Sequence, residues 1–215
     1  FQELLFKLSL QSPEHPFVPS LNRLSDIQYE LDPLGCFLLH DIPEKKFTAI
    51  SHNAESITSA IFHFQKIDDQ LIQSLAQLRN LQSLSLTELY GNYCSDGIIE
   101  LIGKKIKKLN TLYLKCLNSE NEIQGNTLDA LPKTLTSLTI NNSSILPDNL
   151  EKLQNYSNLT ELNLSSNPSL CNSTFFATLP KNISVLRLSN CGLKDRTLQQ
   201  FSTLTHLIEL DLSYN

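Results

Sequence analysis

The sequence predicts an α/β solenoid: a right-handed coil with a concave parallel sheet and with helices or turns on the convex side. Three observations predict it. An apolar pattern of the form LxxLxL recurs along the chain. Its copies start 23 to 29 residues apart. Leu fills 42 of the 215 positions, while Met and Trp are absent. A compact core mixes side-chain shapes to fill a varied interior. One side chain used this often fills one kind of slot many times, and a fixed period of this length marks stacked repeats.

The copies begin at Leu5, Leu34, Ile57, Leu81, Leu109, Leu135, Leu159, Ile183 and Leu207, with intervals of 29, 23, 24, 28, 26, 24, 24 and 24 residues. The clearest runs from Leu159 through Leu162 and Leu164 to Asn167. Apolar residues at repeat positions 4 and 6 point to one side of a short strand. Parallel stacking then requires a return segment in every coil. Asn or Cys at position 9 puts a small polar group where the turn leaves backbone groups unpaired. Asn167, Cys191 and Asn215 fit that slot, whereas Leu89, Leu117 and Ser143 depart from it.

Several returns carry helix signals. Asp68 or Asp69 precedes Leu71, Ile72, Leu75 and Leu78, and Ser95 or Asp96 precedes the run from Ile98 to Leu109. Asp148 opens Leu150 to Tyr156, and Asp195 opens Leu198 to Leu204. Nearer the N-terminus, Ser20 precedes Leu21, Leu24, Ile27 and Leu31 at helical spacing, with Pro33 as the stop. Residues 1–56 therefore read as divergent N-terminal repeats or a cap, and 57–215 as regular repeats. The array breaks off inside a repeat at Asn215; since a solenoid needs a polar cap, the protein is expected to continue.

Net charge is -5 and the pI is about 5.5, which gives no general attraction for nucleic acid or acidic lipid. The basic run Lys104, Lys105, Lys107 and Lys108 reads as a solvated helix face, with a local anchor for an acidic partner as the alternative. Five cysteines, an odd number without close spacing, read as free thiols in a reducing cytosol. Sequons at Asn158, Asn172 and Asn182 are what an Asn- and Ser-rich repeat produces by chance. No stretch has the apolar length of a membrane span.

The motif from Leu159 to Asn167 and its copies resemble the leucine-rich-repeat family over nearly the whole chain. The longer repeats are similar to ribonuclease-inhibitor-type repeats. The junctions Leu131-Pro132-Lys-Thr-Leu135 and Leu179-Pro180-Lys-Asn-Ile183 resemble repeats of effector proteins from intracellular bacterial pathogens. The resemblance implies a protein-binding module, a secreted bacterial effector that blocks or modulates another protein, such as an enzyme, through its concave face. The implied partner is a folded host protein or another effector, met in the cytosol of a host cell. Two other roles remain open: the substrate-recruiting module of a ubiquitin ligase, and an extracellular pattern-recognition ectodomain.

Repeat positions 3, 5 and 7 point away from the leucines, and stacking turns each into a ladder. Leu38 and Ile61 are expected as exposed neighbours, with Phe64 close by and Tyr113 two strands further on. Apolar and aromatic groups on such a surface mark a contact patch; the alternative is that the early repeats are out of register and both residues are core. Lys115 and Asn163 continue the face, and Arg187 and Asp211 fall side by side with Glu161 and Glu209 nearby. His40 and His63 are expected as neighbours near Cys36, but no third ligand or orienting carboxylate has suitable spacing. No metal, cofactor or small-molecule substrate is implied. No sequence signature of catalysis occurs, and the expected protein is not an enzyme.

Overall fold

A computed structural model describes residues 29–31, 36–40, 57–63, 69–89, 95–117, 123–171 and 175–215. Nine strands lie in one sheet in strict sequence order. They are β1 (Tyr29–Leu31), β2 (Cys36–His40), β3 (Ser59–His63), β4 (Ser83–Leu89), β5 (Thr111–Cys116), β6 (Ser137–Asn141), β7 (Glu161–Asn163), β8 (Val185–Arg187) and β9 (Glu209–Asp211). Every pair from β2 to β9 is parallel, and the register follows the repeat: Leu84 opposes Leu112, Leu112 opposes Leu138, and Leu138 opposes Leu162. These leucines and their counterparts at position 6 are buried.

β1 departs from the expectation. Tyr29–Leu31 pairs antiparallel with β2 where a helix ending at Leu31 was expected. Pairing with the free edge of β2 outweighs the local helical spacing, since backbone groups on an open edge need partners. The expected strand at Leu5–Leu10 lies outside the described residues.

The returns change character along the chain. Helix α1 (Asp69–Leu75) and helix α2 (Asp96–Lys105) are α-helical. Later returns are 3-10 segments, such as Pro147–Leu153 and Asp195–Thr203. A 3-10 turn covers more length per residue than an α-helix. Gly103 of α2 is buried against the next return, where an added Cβ would collide with the carbonyl of Ala130. Asp96 joins the same two coils: its carboxylate accepts from Gly125 N at 2.8 Å and from Asn126 Nδ2 at 2.7 Å. It is therefore an inter-coil tie, and Ser95 makes no side-chain cap.

The Leu-Pro-x-x-Leu junctions form a turn that most coils share. Leu135 N donates to Pro132 O and Ile183 N to Pro180 O. The same bond joins Leu81 to Leu78 and Leu159 to Tyr156, where no proline stands. Proline fits because the turn's own bond uses only the carbonyl of its first residue; where no proline stands, Leu78 N and Tyr156 N donate back to Leu75 O and Leu153 O. The junction thus uses a backbone turn that coils without the proline also make.

Candidate functional site

Inside the turns a column of small groups ties coil to coil. Asn167 Nδ2 donates to Ile140 O and Leu164 O, each at 2.8 Å, and Asn167 Oδ1 accepts from Ile145 N. Asn215 repeats this arrangement with Leu188 O, Cys191 N and Leu193 N. Cys191 Sγ donates to Leu164 O at 3.2 Å, and burial raises its thiol pKa. Ser143 is buried with its hydroxyl 3.2 Å from Cys116 Sγ. A register shift between Thr87 and Leu89 puts Cys116 in the column opposite Leu89. Leu117, the residue expected there, is 49% exposed.

Cys116 is disulfide-bonded, whereas Cys171 and Cys191 are free. This corrects the expectation of free thiols throughout.

The outward face of the sheet rests on this frame. In β5 the pattern alternates, with Leu112, Leu114 and Cys116 buried, Thr111 and Tyr113 partly exposed and Lys115 exposed. Leu38 and Ile61 are register partners, as are His40 and His63. Ile61 is half-buried, and Tyr113 lies two rungs on, beyond Ser85. Phe64 lies outside the described residues. Thr139, expected to be exposed, is buried between the rungs that carry the longer side chains of Tyr113 and Asn163.

At the other end Arg187 and Asp211 are register partners. The ion pair, however, joins Arg187 to Glu209 at 2.6 Å. Asp211 turns to its own strand end and accepts from Ser213 N at 2.9 Å. Hydrogen bonds from Ser213, with the charge of Arg187 adding to them, hold the Asp211 carboxyl below its ordinary pKa. Glu161 lies two rungs away and accepts from Ser137 Oγ at 3.2 Å. Asn163 bonds Ser165 N through its Oδ1.

One residue of this face was not singled out by its sequence. Asn141 Oδ1 is buried without a hydrogen-bond partner, on the rung next to Lys115. Nothing in the residue pattern distinguishes it from the other polar rungs, because its isolation depends on which neighbours fail to reach it.

The comparisons with solved structures bear on the fold. The protein of a TLR13–ssRNA13 complex superposes with a TM-score of 0.58 at 20% identity, covering 81% of this chain and 25% of that one. The leucine-rich-repeat-containing protein LegL7 of Legionella pneumophila matches with a TM-score of 0.52 at 19% identity, covering 77% and 59%. The fold is that of a leucine-rich-repeat solenoid. A leucine-rich-repeat protein of Leptospira interrogans agrees, with a TM-score of 0.52 at 21% identity over 91% of this chain and 45% of that one. This leucine-rich-repeat chain thus spans between about a quarter and three-fifths of the structures it matches. No protein-family model and no curated protein matches its sequence.

Among the described residues of this leucine-rich-repeat array, no three His, Cys, Asp or Glu side chains gather where they would hold a metal. No described helix is long and apolar enough to cross a membrane.

Proposed function

We propose that this chain is a protein-binding module that holds a folded partner on the outward face of its sheet and blocks or modulates that partner. The carrying observation is the composition of the face. Apolar and aromatic groups at Ile61 and Tyr113 lie toward one end, and the charged set Glu161, Arg187, Glu209 and Asp211 toward the other. Aromatic and Arg side chains dominate binding energy at interfaces. An enzyme-like site has less support, because Tyr113 and Lys115 on β5 stand three rungs from Arg187 on β8, without a nucleophile and base in contact.

The role of a secreted bacterial effector acting in a host cytosol is the specific form of this reading. The Legionella pneumophila and Leptospira interrogans relatives in fold are bacterial, which is consistent with it. Pull-down from host-cell lysate tests the face. The double variant Tyr113→Ala, Arg187→Glu is expected to lose a partner recovered by the unaltered chain, and equal recovery would exclude this face.

The disulfide at Cys116 favours a second reading, an extracellular recognition ectodomain, because disulfides persist in oxidising compartments. At two of the sequons the side-chain amide is engaged: Asn158 Nδ2 and Asn182 Nδ2 donate to Lys133 O and Ser157 O. Intact mass after eukaryotic secretion, with and without reduction, separates the readings. An oxidised, glycosylated product favours the ectodomain, and a product that is fully reduced when isolated favours the effector.

A further inference from the structure

The edge of the solenoid from which the strands start has a charge pattern unlike the rest of the chain. A two-residue turn precedes β4 to β9, at 79–80, 107–108, 133–134, 157–158, 181–182 and 205–206. None of these pairs contains an acidic residue, and four begin with a cation: Arg79, Lys107, Lys133 and Lys181. Lys108 adds to them at the second position. Most of the acids lie elsewhere, although Asp129, in the return before Lys133, acts on that lysine. Asp96, Asp148 and Asp195 stand at the starts of return segments, and Glu161, Glu209 and Asp211 lie on the strands. A chain of net charge -5 thus gathers positive charge along one edge.

The backbone beneath this edge is tied from coil to coil. Asn158 Nδ2 bonds Lys133 O at 3.0 Å, and Asn182 Nδ2 bonds Ser157 O at 2.6 Å. Between the first two turns lies a groove of about 290 Å³. Its apolar lining includes Leu78, Leu81 and Ile106, and its rim carries Arg79, Lys105, Lys107 and Lys108. Apolar lining under a cationic rim suits a chain that presents carboxylates together with an apolar side chain.

Helix-end electrostatics does not account for the whole series. Cations favour helix C-termini, which suits Lys104, Lys105 and also Lys107, whose Nζ bonds Gly103 O. Lys133 and Lys181 follow 3-10 segments of only three and four residues, whose end charges are small. Lys133 is partly engaged, since its Nζ lies 3.5 Å from the centroid of the Tyr156 ring.

We infer that this basic edge, with the groove between residues 79–81 and 105–108 as its anchor, binds an extended acidic segment of a partner protein. With rungs about 4.8 Å apart, a segment lying along the edge meets a Lys or Arg at four of the six turns, with a gap at 157–158. A nucleic acid fits less well, because the acidic remainder of the chain repels a long polyanion and a phosphate backbone leaves the apolar floor uncovered. This surface is separate from the outward sheet face, so either can fail without the other.

The test is fluorescence anisotropy with the full chain and a labelled short peptide alternating Glu and Leu, beside a counterpart with Gln replacing each Glu. The Glu peptide is expected to bind with an affinity that falls as salt rises. The double variant Arg79→Gln, Lys108→Gln is expected to weaken it about tenfold, and Lys181→Gln less. Glu209→Gln, on the sheet face, is expected to leave it unchanged, and thermal melts verify that each variant is folded. Equal binding of the Gln peptide, unchanged affinity in the folded double variant, or tighter binding of a single-stranded RNA of similar length would each overturn the inference.

Discussion

Tyr156 shows how much one side chain can hold in a repeat array. Its ring is fully buried, and its Oη lies 2.6 Å from Leu128 O and 2.9 Å from Leu131 O. The hydroxyl proton serves two carbonyls of the preceding coil. Burial, and then the charge of Asp129, raise the phenol above its ordinary pKa of 10.0. A raised pKa stabilises the fold fully below the ordinary value, and that contribution is lost as pH climbs from there toward the folded one. Tyr156→Phe is therefore expected to cost about 1–3 kcal/mol at neutral pH and to flatten the alkaline loss of stability. Denaturant melts at neutral and alkaline pH measure both. Asn167 makes the same point in the turn column: Asn167→Ala strips Ile140 O and Ile145 N of partners. A loss of about 1–3 kcal/mol is expected in urea melts, and Asn167→Cys should lose less, since Cys191 already fills the equivalent slot.

Between elements, the tightest fit joins α2 to the return that follows it. Gly103 has no room for a Cβ because the Ala130 and Leu131 backbone lies against it. Relief requires the two coils to move apart, so Gly103→Ala is expected to destabilise by about 1–3 kcal/mol, seen as a lower urea midpoint. The turns after the strands set a second local demand. Asn142, Ser166, Asn190 and Tyr214 all have positive φ, between 55° and 59°. Asn tolerates this region better than Ser does. Ser166→Asn is expected to be neutral or to raise the urea midpoint slightly, and a clear fall would show that the Ser166 side chain has a role of its own.

Across the whole molecule, stability is carried by nearest-neighbour contacts, as in any stacked array. Leu112, Leu138, Leu162 and Leu186 are almost wholly buried. Hydrogen exchange should therefore be slow for the amides of β5 to β8 relative to the exposed turns between them, because opening free energy follows buried contact. Equal protection of strands and turns would contradict this. A solenoid also spreads its surfaces out, so the sheet face and the basic edge can engage different partners.

The repeat, its register from Leu34 to Leu207 and the identity of the inward leucines were legible in the sequence because strand alternation and coil spacing are local properties. Ile61, Tyr113, Arg187 and Asp211 were assignable to one face for the same reason. Other features needed the coils to be stacked. Arg187 pairs with Glu209 although Asp211 is its register partner, and Cys116 displaces Leu117 from the turn column. Tyr29–Leu31 became a strand, and Thr139 became buried between longer neighbours. The sequence by itself determined a leucine-lined coil and which residues point out of it. Only the tertiary structure decided which outward groups meet, because residues some 24 positions apart become neighbours through side-chain reach and turn geometry, which no periodicity records.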